Sequence, residues 1–103
     1  MQRVSLETKH QAEITKYVFD FASQLAVGET IILTGFTVIV YSGTDANPSS
    51  IISGSPAISG TKVTQAIIGG IPGVTYLCIM QVVTSVSQQL TLTGYLVIIP
   101  TTA

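Results

Sequence analysis

Charged side chains are scarce in this sequence. Only 9% of its 103 residues are Asp, Glu, Lys or Arg, against about 25% in ordinary soluble domains. The few charges are also unevenly placed, because Lys62 is the one charged residue after Asp45. A soluble monomer usually keeps mixed charges over its surface. Two interpretations therefore stay open, a neutral polar surface or a surface covered by neighbouring subunits.

Other residue types are rare or missing, and each absence argues against a class of protein. Four basic residues and a net charge of −1 provide no positive surface for nucleic acid. No apolar run approaches the roughly 18 residues of a membrane helix, and we expect no secretory signal in the polar N-terminus. The single cysteine, Cys78, cannot form an internal disulfide, which is consistent with synthesis in a reducing cytoplasm.

Groups that carry catalysis are also few and scattered. His10, the only histidine, lies in the polar N-terminal segment, where a preorganised catalytic triad is not expected. Cys78 alternates with apolar residues, so we predict a buried and unreactive thiol. The run from Asp45 to Asn47 begins like a calcium loop but lacks the Gly and Glu that complete one. We therefore predict no catalytic residue, no metal site, no cofactor and no enzymatic activity.

What the sequence has in abundance is β-branched residues. Ile, Val and Thr number 13, 11 and 14, and such residues favour the pleated surface of a sheet. Alternating apolar residues separated by Gly, Pro, Asn and Ser predict an all-β fold of about seven strands. The predicted strands cover 13–22, 29–41, 61–68, 74–84 and 89–99, with very short ones at 51–52 and 57–58. We expect residues 1–12 to form a flexible arm and residues 13–103 a single domain.

Three local features refine this prediction. The strand over 29–41 is apolar on both faces, which is typical of a strand that is central or covered on both sides. Asp20 is predicted to accept a hydrogen bond from the backbone of the following bend. Glu29, which follows Gly28 at the start of a strand, is predicted to cap a turn.

A turn that leads directly into a strand supports a specific fold. Gly70, Pro72 and Gly73 precede Tyr76, which begins the next-to-last strand. In β-sandwiches a tyrosine at this position often turns its hydroxyl back to the preceding loop. The segment resembles the Pro-Gly-x-x-Tyr corner of fibronectin type III domains. With the strand count, it predicts an immunoglobulin-like (fibronectin type III-like) antiparallel β-sandwich, without the Cys and Trp signature of antibody domains.

A second resemblance covers about residues 14–99. Its motifs are the aromatic strand Phe19-Asp20-Phe21, the turn Leu25–Ile31, the corner Gly69–Tyr76 and the later Val83-Thr84-Ser85. Together they resemble small virion proteins of tailed phages, described as fibre–tail adaptor or neck-associated proteins. The family's tryptophans are replaced here by phenylalanines, which preserves the packing. Val86 replaces the usual Gly after Thr-Ser and alters the hairpin turn.

The resemblance implies a virion structural protein, synthesised in the host cytoplasm, that mediates assembly at the neck, tail or fibre junction. Its implied partners are other virion proteins, and we expect a homo-oligomeric ring or array. The low positive charge and the absence of a long apolar run predict neither nucleic acid nor membrane as a partner. A capsid decoration protein and a surface- or carbohydrate-binding β-sandwich stay open as alternatives. Candidate interface residues come from the loop-rich middle and from two tyrosines outside the core faces: Tyr41, Asp45, Asn47, Ile51, Ile52 and Tyr95.

Overall fold

Strands make up most of the chain, as its β-branched composition predicts. In the computed structural model, which describes residues 2–3 and 8–100, none of the described residues lies in an α-helix, and the all-β prediction is confirmed. Two short 3-10 helices occupy Ala22–Gln24 and Pro48–Ile51. The strands are β1 (Gln2–Arg3), β2 (Lys9–His10), β3 (Thr15–Asp20), β4 (Ile31–Ser42), β5 (Ile52–Ser59), β6 (Lys62–Ile67), β7 (Thr75–Thr84) and β8 (Gln89–Ile99).

The strands form two sheets. The larger sheet has the order β1-β8-β7-β4, with β2 also beside β8, and the smaller has the order β3-β6-β5. Neighbouring strands are antiparallel except β1 and β2, which run parallel to β8. Two sheets around one core make a β-sandwich, and the arrangement is consistent with the immunoglobulin-like prediction.

Alternation along the strands directs one side of each sheet into a common core. The predicted aromatic face of the first strand is confirmed, because Tyr17, Phe19 and Phe21 are buried. The rings of Phe19 in β3 and Phe36 in β4 lie 5.8 Å apart and connect the two sheets. Burial of each such side chain contributes about 1.5–3 kcal/mol. The other buried apolar side chains are Ile31, Val38, Ile51, Val63, Ile67, Val74, Tyr76, Cys78, Met80, Val82, Leu92, Leu96 and Ile98.

The position of β4 differs from the prediction. Among the described residues β4 pairs only with β7, so it is the edge strand of the larger sheet. Its outward side chains are exposed, with Leu33 at 62%, Ile39 at 45% and Tyr41 at 63%. The prediction of a central or doubly covered strand is therefore wrong within the chain. An apolar pattern on both faces does not reveal whether the second cover comes from the same chain or from another protein.

The middle of the chain contains more regular structure than predicted. Instead of two very short strands, β5 runs from Ile52 to Ser59, with an irregular register between Ser53 and Ala57. The buried Gln65 in β6 spans this irregularity, since its Nε2 donates to the carbonyl oxygens of Ser53 and Gly54, both at 3.1 Å. A side chain thus replaces missing ladder hydrogen bonds, which a Gly- and Pro-rich sequence does not reveal.

Part of the N-terminal segment lies against the sandwich. The Lys9 side chain is fully buried, and its Nζ donates to the carbonyl oxygens of His10 (2.9 Å), Gln11 (3.2 Å) and Gly69 (2.8 Å). Burial lowers the pKa of Lys9 and outweighs the nearby Glu13 carboxylate, which raises it. The predicted arm over 1–12 falls partly outside the described residues. Its flexibility and the boundary at residue 13 stay predictions, while residues 9–11 are tied to the domain.

Candidate functional site

The corner before β7 is organised by the hydroxyl of Tyr76. The Tyr76 ring is buried, and its hydroxyl accepts a hydrogen bond from the Ile71 N–H at 3.1 Å. The same hydroxyl donates to Oδ2 of Asp45 at 2.6 Å, in the connection between β4 and β5. Burial, and next the bond to Asp45, raises the pKa of Tyr76 to about 12. The hydroxyl therefore joins two connections that are distant in sequence.

The glycines and the proline of the corner have separate geometric roles. Pro72 and Gly73 form a turn closed by the Val74 N–H, which donates to the Ile71 carbonyl at 3.1 Å. Gly73 has φ +87°, as the third residue of a type II turn requires. Gly70 has φ +99°, and a Cβ there would lie 2.7 Å from Cγ1 of Ile98. The corner thus needs glycine at both positions.

A second cluster joins two motifs that the sequence shows far apart. Thr84 donates from its hydroxyl to Oε2 of the largely buried Glu29. The neighbouring residues Thr30 and Ser85 exchange hydrogen bonds, with the Thr30 N–H on Ser85 Oγ at 3.0 Å and the Ser85 N–H on the Thr30 carbonyl at 2.8 Å. The Thr84 bond, and then that from the Ala26 N–H, lowers the pKa of Glu29. The Glu-Thr and Thr-Ser motifs therefore fasten the start of β4 to the end of β7.

The solvent side of the larger sheet carries apolar, Thr and Gln side chains and no charge. We call this surface the outer face; its apolar side chains come from Leu33, Ile39, Tyr41, Leu77, Ile79, Val83, Tyr95 and Val97. The three long strands β4, β7 and β8 contain no Asp, Glu, Lys, Arg or His. Tyr41 and Tyr95 lie side by side on it, with ring centroids 4.5 Å apart and planes tilted by 55°. Contiguous exposed apolar surface of this kind marks interaction sites.

A shallow cavity opens on the outer face beside Gly35. Its volume is about 150 Å³, and its lining residues are Leu33, Thr34, Gly35, Gln81, Val82, Val83 and Gln89. A Cβ on Gly35 would meet no atom within 4 Å, so the missing side chain contributes open space to the cavity. The outer face therefore combines exposed apolar side chains with a depression.

The six candidate interface residues separate into two groups. Tyr41 and Tyr95 lie together on the outer face, as described above. Asp45 and Asn47 belong to the β4–β5 connection, where Asp45 Oδ1 accepts from the Asn47 N–H at 2.9 Å. Both tyrosines were singled out because they alternate out of the core. Leu33 and Ile39, their neighbours on the outer face, are not distinguished by the sequence from core residues, because both faces of β4 are apolar.

Ile51 and Ile52, the other two candidate interface residues, pack against the core. The Ile51 side chain is 1% exposed and belongs to the core, so it offers no surface to a partner in this conformation. Ile52 is half-buried and packs against the same core. Ile51 ends the 3-10 helix that begins at Pro48, and the turn of this helix directs its side chain inward.

The polar groups with catalytic potential do not form a site within the described part of the chain. His10 Nδ1 lies 3.2 Å from Oε1 of Glu13 at an exposed position. Cys78 is fully buried, and burial raises the pKa of its thiol to about 12. No group of three or more metal-ligating His, Cys, Asp or Glu side chains occurs among residues 2–3 and 8–100. No helix in that same part is long and apolar enough to cross a membrane.

The chain matches one family model over most of its length. That family is described as podophage GP4 fiber-tail adaptor protein gp77, and the match covers residues 9–97. It includes both the Tyr76 corner and the Glu29–Thr84 cluster. No curated protein matches the chain.

Proposed function

Because the chain belongs to the podophage fiber-tail adaptor family and is a structural component of a phage virion, we propose that it joins the tail to its fibres through the outer face. The role is non-enzymatic. The connection is made by protein–protein contact, with the outer face against a tail or fibre protein.

The observation that carries the proposal is the uncharged character of the outer face. Leu33, Ile39 and Tyr41 expose about half or more of their side-chain surface, and no charge interrupts the strands that bear them. Burial of apolar surface favours association, and the part that exceeds the cost of ordering the partners appears as binding free energy. A protein interface typically has such an apolar centre surrounded by a polar rim.

The arrangement of copies is a further part of the proposal. We propose a homo-oligomeric ring or array, because closed rotational symmetry is the usual form of protein oligomers. A carbohydrate-binding function is less well supported, since the rings of Tyr41 and Tyr95 are tilted by 55° and do not form a flat platform. Capsid decoration would give a copy number on the scale of the major capsid protein.

A matched pair of charge substitutions tests the proposal. Ile39→Lys places a charge on the outer face, whereas Val18→Lys places the same charge on the smaller sheet, where Val18 is 50% exposed. Each variant is supplied to a phage that lacks the gene, and copies of the chain and of the fibre protein are counted per particle by quantitative mass spectrometry. We expect Ile39→Lys to deplete both proteins by about tenfold or more and Val18→Lys to leave them unchanged.

Three results would contradict the proposal. Wild-type chain absent from purified particles would remove the virion role. Copies on the scale of the capsid protein would favour decoration. Wild-type amounts of chain and fibre with Ile39→Lys would show that the outer face is not the contact surface.

A further inference from the structure

We propose that the edge of β4, from Leu33 to Val40, accepts an extended and uncharged segment of another virion protein, which places an aromatic side chain over Gly35. This inference deepens the proposed function and rests on it, since it specifies the site of contact and the chemistry of the partner. The segment would add a strand to the larger sheet.

The first argument compares the four sheet edges. The outer edge of β8 is occupied by β1 and β2. In the smaller sheet, β5 carries Pro56 and an irregular register, and β3 carries Lys16 and Asp20. Charges, prolines and bulges are the devices by which proteins protect edges from further pairing. Among the described strands, only β4 presents a long edge with neither charge nor proline.

The second argument is the regularity of β4 between two defined limits. Its pairing with β7 is unbroken from Leu33 opposite Val83 to Val40 opposite Tyr76, with register shifts on either side of this stretch. An uninterrupted stretch presents evenly ordered N–H and C=O groups to an added strand. The 3-10 helix Pro48–Ile51 also contacts β4, with Ile51 directed to the core. The two register shifts therefore set the length of segment that can pair.

The third argument is the glycine in the middle of this stretch. Gly35 does not have a left-handed φ, and a Cβ there would meet nothing within 4 Å. The fold of the chain therefore does not require glycine, although glycine weakens a strand. A glycine in a strand often marks the close approach of another chain. An aromatic residue on a neighbouring strand can cover such a glycine and compensate for its missing side chain.

The cavity beside Gly35 agrees with an aromatic occupant. The cavity is an open depression of about 150 Å³, which gives one planar ring room to lie over Gly35. Leu33 and Val83 supply apolar walls, while the amides of Gln81 and Gln89 supply hydrogen-bonding groups. One aromatic ring, with or without a hydroxyl, suits this combination.

Charge and symmetry define the partner. A charged residue in the added segment would lose water against β4, β7 and β8, whose side chains include no ion to pair with it. A second copy does not fit the regular stretch. Two-fold pairing of β4 with itself about Phe36 or Thr37 brings Thr37 or Ile39, which are not aromatic, opposite Gly35. Pairing about Val38 would bring Tyr41 there, but Tyr41 lies at the register shift after Val40 and its ring already packs against Tyr95. The occupant is therefore an uncharged segment of a different protein.

The test is a substitution that fills the space over Gly35 proposed for the partner's aromatic ring. Gly35→Val is compatible with the backbone and the open space, and the matched control is Thr37→Val, an isosteric change on the same exposed side of β4. Both variants are first checked for thermal unfolding at or above the wild-type temperature and then supplied to a phage that lacks the gene. We expect Gly35→Val to lower the copies of chain per particle by about tenfold or more and Thr37→Val to have no effect.

A second measurement reports on the backbone amides of β4. Hydrogen–deuterium exchange of the peptide covering 33–40 is compared between the purified chain and purified wild-type particles. Protection in the particle, together with loss of the Gly35→Val variant, supports the inference. Fast exchange in the particle, normal incorporation of Gly35→Val, or a cross-link from position 37 to a second copy would overturn it while leaving the adaptor role intact. Absence of wild-type chain from the particle would overturn the adaptor role itself.

Discussion

At the scale of single residues, Tyr76 connects three parts of the chain. Its ring lies in the core, while its hydroxyl bonds to the corner at Ile71 and to Asp45 in the β4–β5 connection. A buried hydroxyl that loses its bonds leaves donors and acceptors unpaired, which costs more than the bond itself contributes. The corner is therefore a stabilising element, and it holds the connection that leaves the exposed strand β4.

Replacement of this hydroxyl measures its contribution. Tyr76→Phe should lower the free energy of unfolding by about 1–3 kcal/mol, because the Ile71 N–H and the Asp45 carboxylate lose a partner. Tyr41→Phe is the control, since Tyr41 is exposed. The measurement is a chemical denaturation curve for each variant. An unchanged midpoint for Tyr76→Phe would show that the corner bond does not stabilise the fold.

Wild type and Tyr76→Phe should also differ in how their stability depends on pH. Burial, and then the bond to Asp45, raises the pKa of Tyr76 from an ordinary value of 10.0 to about 12. The folded chain holds the Tyr76 proton more tightly than the unfolded chain. The stability that this proton contributes is therefore complete below pH 10 and is lost as pH rises from 10 towards 12. The difference in unfolding free energy between wild type and Tyr76→Phe should shrink over that range. A constant difference would contradict the assignment.

Local hydrogen bonds could be predicted from the sequence, and distant ones could not. Asp20 was predicted to bond to the next bend, and its Oδ1 accepts from a backbone N–H two residues away. The partner of Glu29, the hydroxyl of Thr84, lies 55 residues away. Tyr76 and Asp45 are separated by 31 residues. Turn geometry fixes near neighbours, whereas distant partners depend on how the sheets assemble.

At the scale of elements, the long strands were predictable and their environments were not. Alternation places β7 and β8 correctly because one face of each packs against the core. For β4 the same rule does not distinguish an edge strand from a central strand, because the outward residues of β4 are apolar too. For β5, Gly54 and Pro56 suggested a loop, but the Gln65 side chain maintains the pairing across the irregular register.

The attachment of β2 to β8 provides a test at this scale. Lys9→Met keeps an apolar stem of similar length but removes the ammonium that bonds to the carbonyl oxygens of His10, Gln11 and Gly69. We expect the free energy of unfolding to fall by about 1–3 kcal/mol and amide exchange over residues 9–12 to accelerate. Lys16→Met, at an exposed position on β3, is the control. Equal exchange in the two variants would show that Lys9 does not hold β2 in place.

At the scale of the whole molecule, the charges are segregated. The N-terminal segment, the smaller sheet and the connections carry them, whereas the three long strands of the larger sheet carry none. The sequence alone left two interpretations of its low charge, a neutral surface or a covered one. The structure places four exposed apolar side chains, Leu33, Ile39, Tyr41 and Val97, on the uncharged outer face and others elsewhere on the surface. Cover of the outer face by another virion protein is the proposal made above. Which protein covers that face cannot follow from the sequence of one partner.

The measurement that tests this account most directly is thiol labelling in the assembled particle. The native Cys78 is buried, with its pKa raised to about 12, so an introduced cysteine is the only reactive thiol of this chain. Thr37→Cys reports on the outer face and Val18→Cys on the smaller sheet. We predict that a maleimide labels both variants in the purified chain but only Val18→Cys in the particle. Equal labelling of Thr37→Cys in the purified chain and in the particle would contradict the claim that the outer face is the adaptor's contact surface.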